Sequence, residues 1–135
     1  VGNGMAGMAC VEQILKHGPK FQVTVFGDET HVNYNRVMLS SVLAGERTAD
    51  EIVLHPREWY VRNGIDLHVG VRIVDVDPEA RTVTGNDGRV TPYDLLLLAT
   101  GDQAPFNRLA QRFLGPTVPP SGVEPASTPI VGVAG

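Results

Sequence analysis

The sequence has 135 residues, 42% of them hydrophobic and 19% charged, with a net charge of −4 at neutral pH. That size and balance fit one globular domain with a modest core, and without a basic patch to neutralise phosphates they argue against nucleic acid as a partner. A single cysteine, Cys10, excludes an internal disulfide and any four-cysteine metal or iron–sulfur site; no apolar run reaches the ~18 residues of a membrane span, no leader pattern is visible, and a reducing cytoplasm is the expected compartment.

Residues 1–7, Val-Gly-Asn-Gly-Met-Ala-Gly, read as a tight turn leading into a helix over Met5 to His17. Met8, Val11, Ile14 and Leu15 share one apolar face of it, and Gly18-Pro19 ends it. Phe21 to Phe26 has the β-branched and aromatic character of a strand. A polar excursion covers Asp28 to Asn35, and a short helix follows over Val37 to Ala44, closed by Gly45. Thr48 and Glu51 have capping-box spacing. Pro56 to Asn63 reads as a helix, with proline at its start and Gly64 after its end. Ile65 to Val69 and Arg72 to Val76 are short strands, and Arg81 to Thr91 a hairpin turning at Asn86-Asp87-Gly88. Leu95 to Ala99 is a continuous apolar run, the signature of a strand buried on both faces. Asn107 to Leu114 has room for one or two helical turns, and residues 115–135, rich in Pro, Gly, Ser and Thr, read as a flexible tail.

The motif with chemical content is Gly2-x-Gly4-x-x-Gly7. In such a turn the first glycine permits the bend, the second admits a pyrophosphate to the backbone, and the third lets the helix pack closely on the sheet. The helix N-terminus supplies free N–H groups and partial positive charge. Asp28 lies 21 positions beyond Gly7, at the end of the second strand, where a carboxylate accepts hydrogen bonds from an adenosine ribose. Glu29, beside it, is the second candidate, and a solvated acidic turn is the bland alternative. The fingerprint alone leaves open which dinucleotide is bound.

The other reactive residue types point elsewhere. Cys10 reads as a small buried thiol and Met5 and Met8 as core. His17, His31, His55 and His68 lack metal-ligand spacing. Trp59 and Tyr60 read as anchors of the insertion helix. No residue stands out as a general acid, base or nucleophile, so no catalytic residue and no metal ligand is assigned.

A long insertion with Tyr34-Asn35-Arg36-Val37-Met38-Leu39-Ser40-Ser41 follows the second strand, then a β-rich stretch and an apolar run ending in Ala-Thr-Gly. With Val-Gly-Asn-Gly-Met-Ala-Gly, Val-Thr-Val-Phe-Gly-Asp-Glu, the Trp59-Tyr60 to Asn63-Gly64-Ile65 stretch and Tyr93-Asp94-Leu-Leu-Leu-Leu-Ala-Thr-Gly, this nested set resembles the FAD-binding portion of the pyridine nucleotide-disulfide oxidoreductases. Within them it is most similar to the large subunits of NAD(P)H-dependent assimilatory nitrite reductases. The resemblance covers residues 1–101 and implies an α/β, Rossmann-like FAD-binding fold with a parallel sheet and a small β-meander near residues 72–92. It implies that Gly2, Gly4 and Gly7 hold the FAD pyrophosphate and that Asp28, with Glu29 second, binds the ribose. Arg36 and Ser40 would lie along the pyrophosphate and flavin, Ile73 would offer its backbone to adenine, and Thr100 and Gly101 would close over the cofactor. A surface ion pair remains open for Arg36, and a plain helix-surface position for Ser40 and Ser41.

NAD(P)H, an iron–sulfur cluster and sirohaem are implied only for the parent enzyme, which would be oligomeric and would pass electrons from NAD(P)H through FAD to a further acceptor. Two other readings stay open, a dinucleotide-binding module without turnover and a non-functional truncated remnant. The family has an apolar strand before the first glycine where this sequence has only Val1, so the first strand is expected to be truncated and the turn loosened. Residues 102–135 depart from the family pattern, and Thr128 to Ala134 is a candidate strand to fill the vacant central slot.

Overall fold

The computed structural model describes residues 1–17 and 21–101. The helix stop at Gly18-Pro19, the helical turns near Asn107, the tail, and the slot-filling role considered for Thr128 to Ala134 lie outside the described residues.

Helix α1 spans Met5–Lys16, with Gly4 as its N-cap. Of the expected stripe Met8, Val11, Ile14 and Leu15, Met8 and Val11 are buried with Leu15 packed beside them, and Ile14 is half-buried. Met5 departs from the core expected of it. It is 44% exposed, because it opens the helix where the chain leaves the turn, off the stripe. Cys10 is half-buried rather than buried.

Strand β1, Thr24–Gly27, pairs in parallel with β2, Asp66–Val69. β1 begins three residues later than the sequence suggested, and Phe21 is exposed. Between these strands run a single 3₁₀ turn over Arg36–Met38, helix α2 over Leu39–Leu43, a second 3₁₀ turn over Asp50–Ile52 and helix α3 over Arg57–Arg62. Local side chains set these boundaries. The Asn35 side chain accepts from the Val37 amide at 3.1 Å and starts the first turn. Glu51 reaches back to the Thr48 amide at 2.6 Å, as the capping spacing predicts. Gly64, with φ +66°, ends α3.

The meander is antiparallel: β3 (Ile73–Asp77), β4 (Thr82–Gly85) and β5 (Val90–Pro92) pair in chain order. Its second turn falls where the Asn-Asp-Gly run places it, with Gly88 at φ +81°.

Alternate residues of β1 face two cores. Val25 meets Met8, Val11, Tyr60 and Ile65 on the helix side, and Phe26 meets Ile73, Val76, Val83 and Leu98 on the meander side. The result is three layers: helices, parallel strands, meander.

The apolar run Leu95 to Ala99 does not form a regular strand buried on both faces. Leu98 and Ala99 are buried, but Leu95 is 69% exposed. The run's pairing partner is short. The Ala99 amide donates to the Val1 carbonyl at 2.7 Å, and the Val1 amino group donates to Leu97. On the other side the Gly2 amide donates to the Phe26 carbonyl at 2.8 Å. Val1 and Gly2 therefore take the position between β1 and the apolar run, the slot the sequence reading left vacant.

No helix among the described residues is long and apolar enough to cross a membrane.

Candidate dinucleotide site

The three glycines are required for three different reasons. Gly2 has φ +111°, and a Cβ there would lie 1.9 Å from the Ala99 carbonyl oxygen. Only glycine adopts that backbone and that approach. A Cβ at Gly7 would come within 2.7 Å of the Gly2 carbonyl oxygen, so the third glycine lets α1 close onto the turn. Around Gly4 nothing lies within 4 Å of the added Cβ. That position is open on its outer side, and Gly4, Met5 and Ala6 are exposed.

The first bond of α1 runs from the Met8 amide to the Gly4 carbonyl at 3.1 Å. The amides before it have no acceptor in the preceding helical turn, and Gly4 offers no side-chain cap. Donors, a positive helix end and free space thus coincide at Gly4, a fit for an anionic diphosphate.

Asp28 and Glu29 follow directly on β1, whose end abuts the turn: a Cβ on Gly27 would lie 2.9 Å from that of Asn3. The glycine turn and the acidic pair thus share one edge of the parallel strands, as the fingerprint requires. Both carboxylates are engaged. Arg72 Nε donates to Asp28 Oδ2 at 3.0 Å and its Nη2 lies 2.9 Å from the same oxygen. Arg36 Nη2 lies 2.7 Å from Glu29 Oε1. These are exposed pairs, worth little to stability. Tyr34 joins the second pair, and its hydroxyl pKa is raised, first by its hydrogen bond to Glu29 and then by burial.

Arg36 therefore takes the ion-pair position considered as its alternative, beside the acidic pair. Ser40 is exposed on α2. Ile73 is a buried member of β3, in register with Gly85. The backbone closest to Asp28 and Glu29 is instead the stretch before it: the Gly70 amide donates to Glu29 and the Val71 amide to Gly27, each at 2.9 Å. Thr100 follows Ala99 against the Gly2 turn, and Gly101, with φ +69°, is exposed beyond it. No group of three or more His, Cys, Asp or Glu side chains among the described residues is placed to hold a metal ion.

Sequence reasoning missed the polar groups behind the turn. Asn3, between two glycines, accepts at its carbonyl from Asn33 Nδ2 and at Oδ1 from the Tyr60 hydroxyl, both at 2.9 Å. Tyr60 is 1% exposed, and burial raises its pKa against the opposing effect of its hydrogen bonding with Asn33 and Asn3. A polar residue inside a glycine fingerprint was the available signal for Asn3; nothing local marks Asn33 or Arg72. A shallow recess lined by Glu12, Leu15, Lys16, Trp59 and Asn63 lies at the far half of α1, away from the turn, and takes no part in this site.

The model of the pyridine nucleotide-disulphide oxidoreductase family matches residues 1–112. The chain belongs to that family. It is 46% identical over 107 residues to a nitrite reductase [NAD(P)H] of Bacillus subtilis, covering 78% of this chain and 13% of that protein. It is 44% identical over 101 residues to the assimilatory nitrate reductase electron transfer subunit of the same organism, covering 74% of this chain and again 13% of the relative. Among solved structures, the covalent putidaredoxin reductase–putidaredoxin complex matches with a TM-score of 0.70 and 31% identity, over 74% of this chain and 24% of that one. The chain thus spans about an eighth of the length of these two curated relatives.

Proposed function

We propose that this chain is the FAD-holding part of an NAD(P)H-dependent oxidoreductase of the nitrite reductase type. The observation that carries the reading is the open turn at Gly4, with unsatisfied helix donors, beside the carboxylates at the end of β1. Gly2, Gly4 and Gly7 grip the diphosphate. Asp28, with Glu29 next to it, takes the ribose. Arg36 and Ser40 line the approach from the insertion, the backbone leading into Ile73 borders the adenine, and Thr100 and Gly101 close the edge beyond Ala99. When bound, FAD supplies the hydride-accepting and electron-passing chemistry, and the protein orients it. On this reading no acid, base or nucleophile is assigned among the described residues. The kinship and the single cysteine fit a cytoplasmic setting.

Titration of the purified chain with FAD, followed by flavin fluorescence and the visible spectrum, tests this. We expect near one-to-one binding in competition with ADP, which carries the diphosphate and ribose, and weaker competition from FMN, which lacks the adenosine. Retention of ADP without FAD indicates a dinucleotide module with no flavin role. A folded chain that binds neither overturns the reading.

A further inference from the structure

We propose that Tyr60 and Asn33 are positioning residues that hold Asn3, and through it the glycine turn, in the form that grips the cofactor, with His55 and Glu12 as their anchor. This deepens the FAD reading and rests on it.

The bonds form one connected path. From Asn3 it passes through the Asn33 side chain, 1% exposed, whose Oδ1 lies 3.0 Å from His55 Nδ1. His55 Nε2 lies 2.7 Å from Glu12 Oε1. Since Asn33 Nδ2 donates to Asn3, its Oδ1 is an acceptor, as is the Glu12 carboxylate; both ring nitrogens of His55 therefore face acceptors. Trp59 packs on His55 with ring centroids 4.2 Å apart and on Tyr60 at 5.3 Å, which fixes both rings. The path starts in the turn, crosses the insertion and returns to α1, the helix that the turn leads into. It closes a ring around the pivot between turn and helix.

Stability alone does not account for Asn3. Its Nδ2 is buried without a hydrogen-bond partner, a cost that an apolar side chain would avoid. What its side chain does provide is a fixed acceptor, Oδ1, beside the carbonyl that any residue there would offer Asn33, at a point between Gly2 and Gly4 where a displacement of the backbone would misplace the donors at the start of α1. Gly27, pressed against the Asn3 Cβ, blocks movement from the third side.

The test is a double-mutant cycle on FAD affinity in the full 135-residue chain, using Tyr60→Phe, Asn3→Ser and both together, with far-UV dichroism and thermal melting of each. Tyr60→Phe removes one hydroxyl and keeps the ring. It is expected to weaken FAD and ADP binding roughly 3- to 10-fold, the fold-change of one lost hydrogen bond. The double variant is expected to bind no more weakly than Asn3→Ser alone, since the hydroxyl acts through Asn3. If the wild type binds FAD and Tyr60→Phe binds it equally, with only the melting temperature changed, the role is structural and this inference fails alone. Losses that multiply in the double variant also overturn it. A wild type that binds no FAD sinks the parent reading, and this one with it.

Discussion

Gly2 and Gly4 sit two residues apart and answer to different demands. At Gly2 the backbone is left-handed and a methyl group would collide with the Ala99 carbonyl. Gly2→Ala is expected to cost on the order of 3 kcal/mol or more in urea unfolding, since neither the turn nor the apolar run can yield without breaking the pairing at Val1. At Gly4 the backbone is extended, with φ −83°, and the space is empty. Gly4→Ala should therefore change stability by less than about 1 kcal/mol. On the proposed function it is nonetheless expected to weaken FAD roughly 10-fold or more in a fluorescence titration, because the methyl would stand on the approach assigned there to the diphosphate. The glycine spacing was readable in the sequence because it is local. The grip on Asn3 was not, since Asn33 and Tyr60 reach it across 30 and 57 positions.

At the level of elements, periodicity served well where a face is buried and poorly at the ends. Met8 is 1% exposed in the helix-side core, whereas Met5 stands at the mouth of the turn. Thermal or urea unfolding should separate them. Met8→Ala is expected to cost about 2–5 kcal/mol, and Met5→Ala less than about 1 kcal/mol. The meander was legible from its Asn-Asp-Gly turn and alternation, both matched by the observed ladder of β3, β4 and β5. The insertion was less so. Its single helix over Val37 to Ala44 divides into a 3₁₀ turn and α2, because the Asn35 side chain caps the chain four residues before the helix proper begins. The apolar run ending in Ala-Thr-Gly, expected as a strand buried on both faces, instead pairs with Val1 through Leu97 and Ala99 and is buried only at Leu98 and Ala99.

Across the whole molecule, the junction at Val1 ties the layers together. Its nitrogen donates to the Leu97 carbonyl and its carbonyl accepts from the Ala99 amide, while the Gly2 amide reaches the Phe26 carbonyl, so three segments far apart along the chain meet there.

The sequence by itself determined the local features: the glycine fingerprint, the acidic pair after β1, the amphipathic face of α1, the hairpin turn and the family resemblance. Each depends on residues close along the chain or on their spacing. Only the tertiary structure decided that Val1 and Gly2 bridge β1 to the apolar run, that Arg72 and Arg36 hold the two carboxylates, and that Asn33 and Tyr60 stand behind the turn. Those pairings depend on which distant segments the two cores bring within hydrogen-bonding reach, and such proximity leaves no local mark in a sequence.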